Sequence, residues 1–452
     1  MQRPRSTRLL LLVALAVAQP RWAAAAANPK AEELKEAINA DYKFGRTNWD
    51  SAILNDTLSN VKLERIIWSA KPPRFAFTVF TQLTLNRLPT LYNMCTTYTG
   101  PLSAAVFVPL VQTQPYPAST SGSGSGGRGA GGAEDGGLNP QSAKVLAEAV
   151  EEVERVFERI EKNPDICALD VMLFYEVYDS DQAKLLYPVN YMRNYARMQV
   201  RTRLLAMIDV DMYMSGSLSR ELTEADTVKQ YEALCSERRA TILPAFEPTR
   251  VGAGGKDMAT NISRMSKDVL RSVHGRNKYA MQFKLRVFPR GHTPTDYVRW
   301  FNATEPYQVQ YKRFYEPWFI TCDEIMPWYD VDFRGYGMNK IILIAALNYY
   351  NYTFWVHPNA WLVHNPHTDT EVRKLVAREA SDVNKLKVKL PANALYRKLT
   401  ALFGKAKRGM MRGTYEPRVD SRAMAVYDRV SWLRRPPELV GTPTPEHVFT
   451  MS

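Results

Sequence analysis

Several patterns that would assign this chain to a familiar class are missing from it. Its four cysteines include no Cys-x-x-Cys pair, which argues against a zinc finger or a dithiol redox motif. The formal net charge is +13, yet neither zinc-finger spacing nor an aromatic RNA-binding signature accompanies it. No internal repeat is evident, and beyond the first 27 residues no apolar run is long enough to span a membrane. The composition that remains, 45% hydrophobic and 23% charged, is that of a globular protein.

The positive charge leaves two interpretations open. A basic surface attracts anionic partners such as nucleotides, acidic glycans or membrane surfaces. It is also compatible with a solvated surface that has no partner. Because the signatures of nucleic-acid binding are missing, we do not expect a nucleic-acid partner.

The first 27 residues differ from the rest and predict a secretory leader. Arginines precede a ten-residue apolar stretch, Leu9 to Ala18, and small residues, Ala23 to Ala27, follow it. A membrane-spanning helix needs about 20 apolar residues, so we expect a signal peptide over residues 1–27. An uncleaved signal anchor is the alternative, and it would attach the protein to a membrane in a type II orientation.

Cysteines and glycosylation sequons support an oxidising, lumenal compartment. The cysteines allow up to two disulfides, in three connectivities that the sequence does not distinguish. The cysteines are Cys95, Cys167, Cys235 and Cys322. The Asn-x-Ser/Thr sequons begin at Asn55, Asn261, Asn302 and Asn351. Together with the leader, these features predict a glycosylated protein of the secretory pathway.

The order of apolar segments predicts an α/β fold with an open, mostly parallel central sheet. Segments rich in β-branched and aromatic residues alternate with segments of helical spacing. Strand–helix–strand order of this kind favours parallel pairing. In the first half the predicted strands lie at 74–81, 104–111, 168–177 and 204–208, and the predicted helices at 85–97, 142–162 and 186–201. In the second half we predict strands at 280–288 and 353–356 and a helix at 343–350.

Changes in composition suggest the domain boundaries. We expect residues 28–70 to form a stem or lead-in and residues 71–400 to form one large α/β domain. Within that domain, residues 114–141 are rich in glycine and serine and are predicted to be a flexible insertion rather than a phosphate-binding loop. Residues 401–452 are basic and proline-rich, and we expect a loosely packed tail.

One short acidic motif carries the clearest chemical signal. Asp209-Val210-Asp211 follows the apolar run Leu204 to Ile208 and precedes Met212. Because side chains alternate along a strand, carboxylates two residues apart point the same way. Such a pair supplies oxygen ligands to Mn²⁺ or Mg²⁺ and leaves positions open for phosphate oxygens. The motif predicts a metal site for a nucleotide diphosphate leaving group, with a solvated turn as the alternative.

Further motifs surround the acidic pair in a fixed order. They are Tyr187-Pro188-Val189-Asn190, Gly291-His292-Thr293-Pro294-Thr295-Asp296-Tyr297-Val298-Arg299-Trp300, Tyr315-Glu316-Pro317-Trp318, Gly335-Tyr336-Gly337-Met338-Asn339-Lys340 and Leu362-Val363-His364. Together they resemble the LARGE-type and β-1,4-glucuronyltransferase-like enzymes of glycosyltransferase family 49. The resemblance covers about residues 74–400 without the glycine- and serine-rich insertion.

The resemblance implies a GT-A fold and a metal-dependent glycosyltransferase that inverts the anomeric centre. The implied reaction transfers glucuronic acid from UDP-glucuronate to a glycan or glycoprotein acceptor in the Golgi lumen, with Mn²⁺ or Mg²⁺ as cofactor. The alternatives are another UDP-sugar, such as UDP-xylose or UDP-N-acetylglucosamine, and a catalytically silent, lectin-like protein. The acceptor, the linkage and the oligomeric state stay open.

The resemblance also implies roles around the metal and the donor. The expected metal ligands are Asp209, Asp211 and His364, with His367 as a second candidate histidine. The expected donor-binding residues are Asn190, Arg193, Asn194 and Arg87. Positions 190, 193 and 194 share one helix face, and Arg193 suits a phosphate or a uronic carboxylate. Helix capping, surface solvation or a surface salt bridge are the alternatives for these donor-binding residues.

Inversion requires a carboxylate base that accepts the proton of the acceptor hydroxyl. The candidates are Asp296 and Asp330, although Asp296 also resembles a helix N-cap and Asp330 could brace the loop that follows. The expected acceptor-binding residues are Trp300, Trp318, Gly335, Gly337 and Asn339. The tryptophans can stack on a sugar face, and the glycines allow close approach of the backbone. Core packing is the alternative for either tryptophan.

Overall fold

The computed structural model describes residues 28–55, 60–116, 137–275 and 278–427. Those residues form an α/β fold around a ten-stranded sheet, with a four-stranded sheet beside it. The predicted leader (1–27) lies outside the described residues, as do residues 117–136 of the predicted insertion and residues 428–452 of the predicted tail.

Strands and helices alternate through most of the described chain. The strands are β1 Arg46–Thr47, β2 Lys62–Ile67, β3 Phe77–Thr84, β4 Pro101–Val111, β5 Ala168–Tyr178, β6 Leu204–Met207, β7 Met212–Met214, β8 Arg239–Leu243, β9 Ala245–Pro248, β10 Ala280–Gln282, β11 Tyr307–Val309, β12 Trp318–Cys322, β13 Thr353–Val356 and β14 Leu362–His364. The helices are α1 Pro29–Asn39, α2 Trp49–Leu54, α3 Leu88–Thr97, α4 Pro140–Glu161, α5 Val189–Met198, α6 Gly216–Glu221, α7 Ala225–Ser236, α8 Gly252–Arg264, α9 Lys267–Val273, α10 Tyr297–Asn302, α11 Asn339–Tyr349, α12 Glu371–Asn384, α13 Leu395–Met411 and α14 Ser421–Val426. Short 3₁₀ turns occur at Leu85–Arg87, Ala183–Leu185, Pro289–Gly291 and Thr293–Thr295.

The large sheet is built mainly from parallel strands. Its order is β1-β5-β4-β3-β6-β12-β8-β13-β11, and β2 also pairs with β5. Strands β5, β4, β3 and β6 run parallel to one another, with Phe80 opposite Met207 in the β3–β6 pair. β12 is antiparallel to both of its neighbours, β6 and β8. The predicted α/β fold with an open, mostly parallel central sheet is confirmed.

Helices bury both faces of this sheet, which explains the continuous apolar runs in its central strands. All 11 residues of β5 are buried. On one face α4 presents a stripe of buried residues at helical spacing, including Leu146, Val153 and Phe157. α5 packs on the opposite face against β3 and β4. The sheet is therefore a rigid platform, and the connections that leave its strands carry the polar chemistry.

The small sheet brings the acidic motif next to the last strand of the fold. Its order is β10-β9-β14-β7. β6 ends at Met207 and β7 begins at Met212, so Asp209 and Asp211 occupy the connection between the two sheets. β7 is antiparallel to β14, and Met212 lies opposite His364. This register places the acidic motif beside His364, although the two are far apart in sequence.

The boundaries predicted from composition need two corrections. Residues 28–70, predicted as a stem, are part of the fold, because α1 packs an apolar stripe on the core and β2 joins the large sheet. The predicted loosely packed tail is wrong for residues 401–427, because α13 continues to Met411 and α14 packs on α1. Both segments are amphipathic, so their mean polarity concealed the apolar face of each helix.

The strand predicted at 280–288 is much shorter in the structure. β10 ends at Gln282. Lys284 has a positive φ of 50°, and turns follow it. A residue in the left-handed region cannot continue a strand, so the chain leaves the sheet here.

The structure selects one of the three possible disulfide connectivities. Cys95 pairs with Cys167, and Cys235 pairs with Cys322. The asparagines of the predicted sequons, Asn55, Asn261, Asn302 and Asn351, are all exposed. Within the ranges described above, we find no helix with the length and apolar character that crossing a membrane requires.

Candidate metal and donor site

The two carboxylates of the acidic motif lie in a tight turn and contact different partners. The main-chain N–H of Met212 donates to the carbonyl of Asp209 at 2.9 Å, which closes the turn. Both side chains are half-buried. The strand ends at Met207, so strand alternation, the predicted reason for the two side chains to point the same way, does not apply to them. Asp211 contacts histidines, whereas Asp209 contacts cations.

Asp211 forms a compact cluster with two histidines. His367 Nε2 lies 2.6 Å from Asp211 Oδ2, and His364 Nε2 lies 3.8 Å from the same oxygen. The three potential ligand atoms are all within 4.8 Å of one another. Among the described residues, no other group of three or more histidine, cysteine or acidic side chains has its potential ligand atoms this close together. We call these three residues the Asp211 cluster.

The electrostatics of the Asp211 cluster favour metal binding. Burial alone would raise the pKa of the Asp211 carboxyl, but the hydrogen bond from His367 and the neighbouring His364 outweigh it and hold this pKa well below its usual range. Burial lowers the pKa of the His364 imidazole to about 4. The bond to Asp211 raises the pKa of His367. At neutral pH Asp211 is therefore ionised and His364 is neutral, which are the protonation states that bind metal, whereas the raised pKa of His367 means that this imidazole holds its proton more tightly until a metal displaces it.

Asp209 is held by a lysine, an arginine and an indole. Lys340 Nζ lies 3.0 Å and Trp318 Nε1 3.2 Å from Asp209 Oδ2, and Arg193 Nη2 lies 3.3 Å from Oδ1. Burial alone would raise the pKa of Asp209, yet Lys340 and Arg193 together lower it. Asp209 lies outside the Asp211 cluster, which His367, the second candidate histidine, completes. The role of Asp209 as a metal ligand stays a prediction.

A glycine-containing loop and the start of α11 deliver Lys340 to this site. Gly335 has a φ of 72°, and a Cβ there would lie 3.1 Å from the carbonyl oxygen of Leu185. Gly337 has a φ of 102°. The loop ends at Asn339, whose side-chain oxygen accepts a hydrogen bond from Arg193 at 2.9 Å. These glycines therefore shape the loop, and Asn339 orients Arg193 rather than facing an open acceptor groove.

Two residues predicted to bind the donor have structural roles instead. Asn190 donates to the carbonyl of Asp330 at 2.7 Å. Asn194 both donates to the carbonyl of Tyr329 and accepts from its N–H, at 2.8 and 2.9 Å. Both amides are fully buried and hold the segment at 329–330 in place. Of the three predicted positions on α5, Arg193 reaches the acidic motif.

The predicted tryptophans occupy different environments. Trp300 is 0% exposed, and its Nε1 donates to the carbonyl of His357 at 2.8 Å, so the prediction that it stacks on an acceptor sugar is wrong. Trp318 is also buried, but it lies at the site, since Lys340 Nζ sits 3.6 Å above its ring and Asp209 accepts from its Nε1. Trp318 therefore positions Asp209 and offers no free face to a sugar.

Trp318 belongs to an aromatic box that connects the two sheets. Phe283 lies at its centre, with ring centroids 5.1 Å from His364, 5.4 Å from Trp318 and 5.0 Å from His292. The ring of His292 stacks on Trp318 at 5.5 Å. This packing fixes the orientation of His364 and of Trp318 at once.

The two predicted base candidates are engaged in other contacts. Asp296 is exposed and caps α10 by accepting from the N–H of Arg299. Asp330 is 7% exposed and accepts from the hydroxyl of Tyr415 at 3.1 Å and from the N–H of Asp332. Burial, with the nearby Asp332 carboxylate, raises the pKa of Asp330 to about 6. These contacts agree with the alternatives of capping and loop bracing, and a role for either residue as the base stays a prediction.

The structure places three residues at the site whose roles the sequence did not indicate. Glu316 Oε1 lies 3.7 Å from Lys340 Nζ, so Lys340 bridges Glu316 and Asp209. Lys284 neighbours Glu316 and His364 electrostatically. Arg87, which was predicted to bind the donor, acts on Asp211 and His367 in the same way, and its role in donor binding stays a prediction. Glu316 and Lys340 both stand within the motifs that carry the family resemblance, but the sequence does not show that these two side chains lie close together.

A family model supports the resemblance. The model described as "Glycosyl-transferase for dystroglycan" matches residues 141–399, which is more than half of the chain. The chain belongs to this glycosyltransferase family. The match contains the Asp211 cluster, Asp209 and its three partners, so the geometry described above is that of a family member and not of an isolated motif.

Curated relatives in this family are longer than the chain. It is 30% identical over 209 residues to the "Glycosyltransferase-like protein LARGE" of Caenorhabditis elegans, covering 46% of this chain and 31% of the relative. It is 28% identical over 297 residues to the "Xylosyl- and glucuronyltransferase LARGE2" of Homo sapiens, covering 66% and 34%. It is 33% identical over 195 residues to the "Xylosyl- and glucuronyltransferase LARGE1" of Danio rerio, covering 43% and 24%. The match therefore spans about a third or less of each relative.

Solved structures show weaker likenesses. "Crystal structure of S. aureus TarS" matches with a TM-score of 0.27 at 10% identity, over 79% of this chain and 52% of that one. "Crystal structure of GalNAc-T7 with UDP, GalNAc and Mn2+" matches with a TM-score of 0.33 at 10% identity, over 84% and 64%. At these scores the likenesses carry no weight for the fold or the site of this glycosyltransferase family member.

Proposed function

We propose that the chain is a metal-dependent inverting glycosyltransferase that transfers glucuronic acid from UDP-glucuronate to a glycan acceptor. The observation that carries this proposal is the Asp211 cluster, which lies beside the cations that hold Asp209. Asp211, His364 and His367 would hold a metal ion that neutralises a diphosphate, and Lys340 and Arg193 at Asp209, with Arg87 near Asp211, supply further positive charge at the site. The names of two relatives, xylosyl- and glucuronyltransferases, support the sugar class.

The residues of the Asp211 cluster fit Mn²⁺ better than Mg²⁺. Mg²⁺ prefers oxygen ligands in octahedral geometry and keeps several waters. A set of one carboxylate and two imidazoles suits a transition metal with nitrogen affinity. When bound, the ion supplies Lewis-acid neutralisation of the charge that develops on the departing UDP. We therefore expect Mn²⁺ to support activity more strongly than Mg²⁺.

The surrounding residues orient the donor and keep the acidic motif in place. Lys340 and Arg193 hold Asp209 from two sides, and the indole of Trp318 fixes the same carboxylate. Such preorganised charges act without reorganisation during the reaction. Removal of Lys340 or Arg193 would take away one of the two cations that compensate the half-buried Asp209 carboxylate, so both residues contribute to the shape of the site as well as to its charge.

The acceptor hydroxyl requires a base, and the position of Glu316 favours it for this role. Its oxygen lies 3.7 Å from the Lys340 ammonium that also contacts Asp209, and 19% of its side chain is exposed, so a substrate can reach it. In an in-line displacement the acceptor oxygen bonds to the anomeric carbon, the bond to UDP breaks, and the hydroxyl proton passes to this carboxylate. Asp330 and Asp296 remain the predicted alternatives.

The two disulfides support a compartment in the secretory pathway. Disulfides persist in oxidising compartments and are rare in reducing ones. Cys95–Cys167 and Cys235–Cys322 pair all four cysteines of the chain. The exposed sequon asparagines are compatible with glycosylation there. We propose the Golgi lumen as the location, with a glycan or glycoprotein as the acceptor.

A donor panel tests the proposed function. Purified protein is given UDP-glucuronate, UDP-xylose, UDP-N-acetylglucosamine and UDP-glucose with Mn²⁺ or with a chelator, and release of UDP is measured with and without oligosaccharide acceptors. We expect the highest turnover with UDP-glucuronate and none with the chelator. A preference for UDP-xylose would replace the donor but keep the reaction class. No Mn²⁺-dependent turnover with any donor would favour a silent, lectin-like protein.

A substitution in the Asp211 cluster tests the metal site in the same assay. Asp211→Asn should remove turnover and Mn²⁺ binding while the fold persists. The matched control is Asp226→Asn, which changes a carboxylate that is 94% exposed on α7. If Asp211→Asn retained full Mn²⁺ affinity, the metal site would have to lie elsewhere.

A further inference from the structure

Lys284 is a half-buried cation at the site whose ammonium forms no ion pair with a described carboxylate, although Glu316 lies near enough to act on it electrostatically. Its Nζ lies 3.4 Å from the hydroxyl of Tyr336 and 5.0 Å from the ring centroid of Phe283. Within the described ranges, no carboxylate oxygen comes within 4.0 Å of this ammonium. Lys340, in contrast, contacts the carboxylates of Asp209 and Glu316 at 3.0 and 3.7 Å. A partly buried ammonium with no carboxylate oxygen at ion-pair distance can accept an anion from outside the chain.

The backbone at Lys284 is held in a costly conformation. Its φ is 50°, in the left-handed region that residues with a Cβ rarely adopt. The carbonyl of Lys284 accepts from the N–H of Phe288 at 2.8 Å, which closes the turn that follows. Strain of this kind persists where the surrounding structure fixes it, and it concentrates at binding sites. The strained residue directs its side chain back over Phe283, towards Tyr336.

This position is one aromatic ring away from the proposed metal site. Phe283, over which the Lys284 ammonium lies, packs on His364 of the Asp211 cluster at 5.1 Å. The same ring packs on Trp318, which holds Asp209. A group that extends from a diphosphate at the Asp211 cluster to Lys284 must therefore be about as long as the Phe283 ring that separates them. The sugar attached to the second phosphate of a UDP-sugar has that size.

Lys284 and Tyr336 together offer complementary donors for a carboxylate. The ammonium has three N–H groups and the phenol has one O–H. If Lys284 donates to one carboxylate oxygen and Tyr336 to the other, both oxygens are satisfied. Burial opposes the charge on Lys284, but Tyr336 and Glu316 raise its pKa, so the ammonium stays charged at neutral pH.

We propose that Lys284 and Tyr336 form the subsite that binds the carboxylate of the donor's uronic acid, and that they thereby select UDP-glucuronate over neutral UDP-sugars. This inference rests on the proposed function, because it requires a UDP-sugar at the Asp211 cluster. It assigns sugar specificity to residues that contact neither the metal nor the diphosphate. Charge selects the donor here, since UDP-glucose differs from UDP-glucuronate only in carrying a hydroxymethyl group where the carboxylate stands.

The test compares binding and turnover in Lys284→Met, which keeps most of the side-chain length and removes the charge. A hydrogen bond to a charged group contributes about 1.5–3 kcal/mol, or about tenfold to a hundredfold in affinity. We expect Lys284→Met to lower kcat/KM for UDP-glucuronate by that factor and to change kcat/KM for UDP-glucose less than about threefold. In calorimetric titrations with Mn²⁺, the affinity for UDP alone should be unchanged, whereas the affinity for UDP-glucuronate should fall.

Three further variants complete the test. Lys284→Arg, which keeps the charge, should retain most of the preference for UDP-glucuronate, and Tyr336→Phe should lose part of it. Lys229→Met is the matched control, because it removes a lysine whose side chain is 75% exposed on α7. If Lys284→Met does not fold, the pair Lys284→Arg and Tyr336→Phe still reports on the subsite through the ratio of the two donors.

The outcomes separate the subsite from the proposed function. If the unmodified protein shows no preference for UDP-glucuronate, the proposed donor is wrong. If the preference exists and survives in Lys284→Met, the donor is right and the subsite is wrong. An equal loss of affinity for UDP and for UDP-glucuronate would also overturn the subsite, because Lys284 would then bind the diphosphate. The subsite would also be wrong if Lys284→Met raised only KM for acceptors, because Lys284 would then bind an anionic group of the acceptor.

Discussion

At the scale of single residues, the most consequential arrangement is the bridge that Lys340 makes between two carboxylates of different function. Its ammonium neutralises the Asp209 carboxylate and also lies 3.7 Å from a carboxylate oxygen of Glu316. The N–H of Glu316 donates to the carbonyl of Gly291 at 2.8 Å, which fixes the start of this side chain. The bridge therefore holds a substrate-accessible carboxylate close to the proposed leaving-group site.

We predict that Glu316→Gln lowers kcat strongly while leaving donor binding almost intact. The amide keeps the shape of the side chain but cannot accept a proton, and general base catalysis contributes about 10²- to 10⁴-fold. Steady-state kinetics with UDP-glucuronate measure kcat, and titration with UDP measures the nucleotide site. Asp296→Asn, in the exposed cap of α10, and Asp330→Asn should keep kcat within a few-fold. The assignment is wrong if one of those two variants loses kcat and Glu316→Gln does not.

Single residues also show how far the sequence could predict the site. Asp211 and His364 lie in short motifs, Asp209-Val210-Asp211 and Leu362-Val363-His364, so a metal site could be predicted there. His367 lies only three residues after His364 and was predicted as a second candidate histidine, but no local signal shows that its imidazole lies against Asp211. The partners of Asp209 come from α5, β12 and α11, which meet only in the folded chain. Ion pairs between such distant segments have no local signature.

The raised pKa of Asp330 predicts a pH-dependent difference in stability. Burial raises this pKa from 3.8 to about 6, so below pH 4 the folded and unfolded states are both protonated. As the pH rises through 6, the folded state must ionise a buried carboxyl, and the stabilisation present at low pH is lost. Between pH 4 and pH 7 Asp330→Asn should therefore gain about 2–3 kcal/mol relative to the unmodified protein. Urea unfolding at both pH values measures this gain.

The matched control for this titration is Asp226→Asn, which changes an exposed carboxylate on α7. The pH-dependent gain of Asp330→Asn is measured relative to this variant. An equal change between pH 4 and pH 7 in the two variants would show that burial does not raise the pKa of the Asp330 carboxyl.

At the scale of elements, the backbone conformation of the loop before α11 determines where the side chain of Lys340 lies. α11 begins at Asn339, directly after Met338 with a φ of 62°. Gly335 donates its N–H to the carbonyl of Tyr187 at 2.8 Å, which ties the loop to the start of α5. Arg193 on α5 and Lys340 on α11 thus reach Asp209 from two elements that the loop holds together. The glycines were predicted to approach a sugar, and the structure gives them this packing role.

We predict that Gly335→Ala destabilises the protein and raises KM for the donor. A Cβ at this position has an unfavourable φ of 72° and would lie 3.1 Å from the carbonyl oxygen of Leu185. The left-handed conformation costs about 1–2 kcal/mol for a residue with a Cβ, and the close approach adds to it. Gly413→Ala separates the two costs, because Gly413 has the same φ of 72° and a methyl group added there would meet no atom within 4 Å.

Urea unfolding of the two glycine variants decides the question. Gly413→Ala should lose about 1 kcal/mol and keep its KM. Gly335→Ala should lose more and bind UDP-glucuronate more weakly, since the loop would shift Lys340 away from Asp209. Equal losses in both variants, with unchanged KM, would mean that the loop tolerates the additional methyl group.

At the scale of the whole molecule, segments at both ends of the described chain complete one fold. α1 packs on α14, and Arg422 donates to the carbonyl of Val61 at 3.0 Å. Tyr415 and Arg418 contact Asp330 and Asp332 in the segment that precedes the glycine loop. The alternation of strands and helices in the sheet could be predicted, because hydrophobic periodicity is a local signal. The docking of the end segments could not, because it depends on contacts across hundreds of residues.

The two disulfides provide a prediction at this scale, because they close loops of similar length in different parts of the fold. The paired cysteines are 72 residues apart in Cys95–Cys167 and 87 residues apart in Cys235–Cys322. Loop-closure entropy assigns about 4–5 kcal/mol to each, so replacing either pair by alanine should lower the free energy of unfolding by a similar amount, about 2–5 kcal/mol.

The two disulfides differ in their distance from the site, because of the four cysteines only Cys322 lies on β12, the strand that carries Trp318 to Asp209. At a temperature where near-ultraviolet circular dichroism shows both variants folded, the Cys235→Ala, Cys322→Ala variant should therefore lose several-fold more turnover than the Cys95→Ala, Cys167→Ala variant. Equal turnover in the two would show that β12 holds Trp318 in place without its disulfide, and that the packing of the aromatic box is sufficient to fix the site.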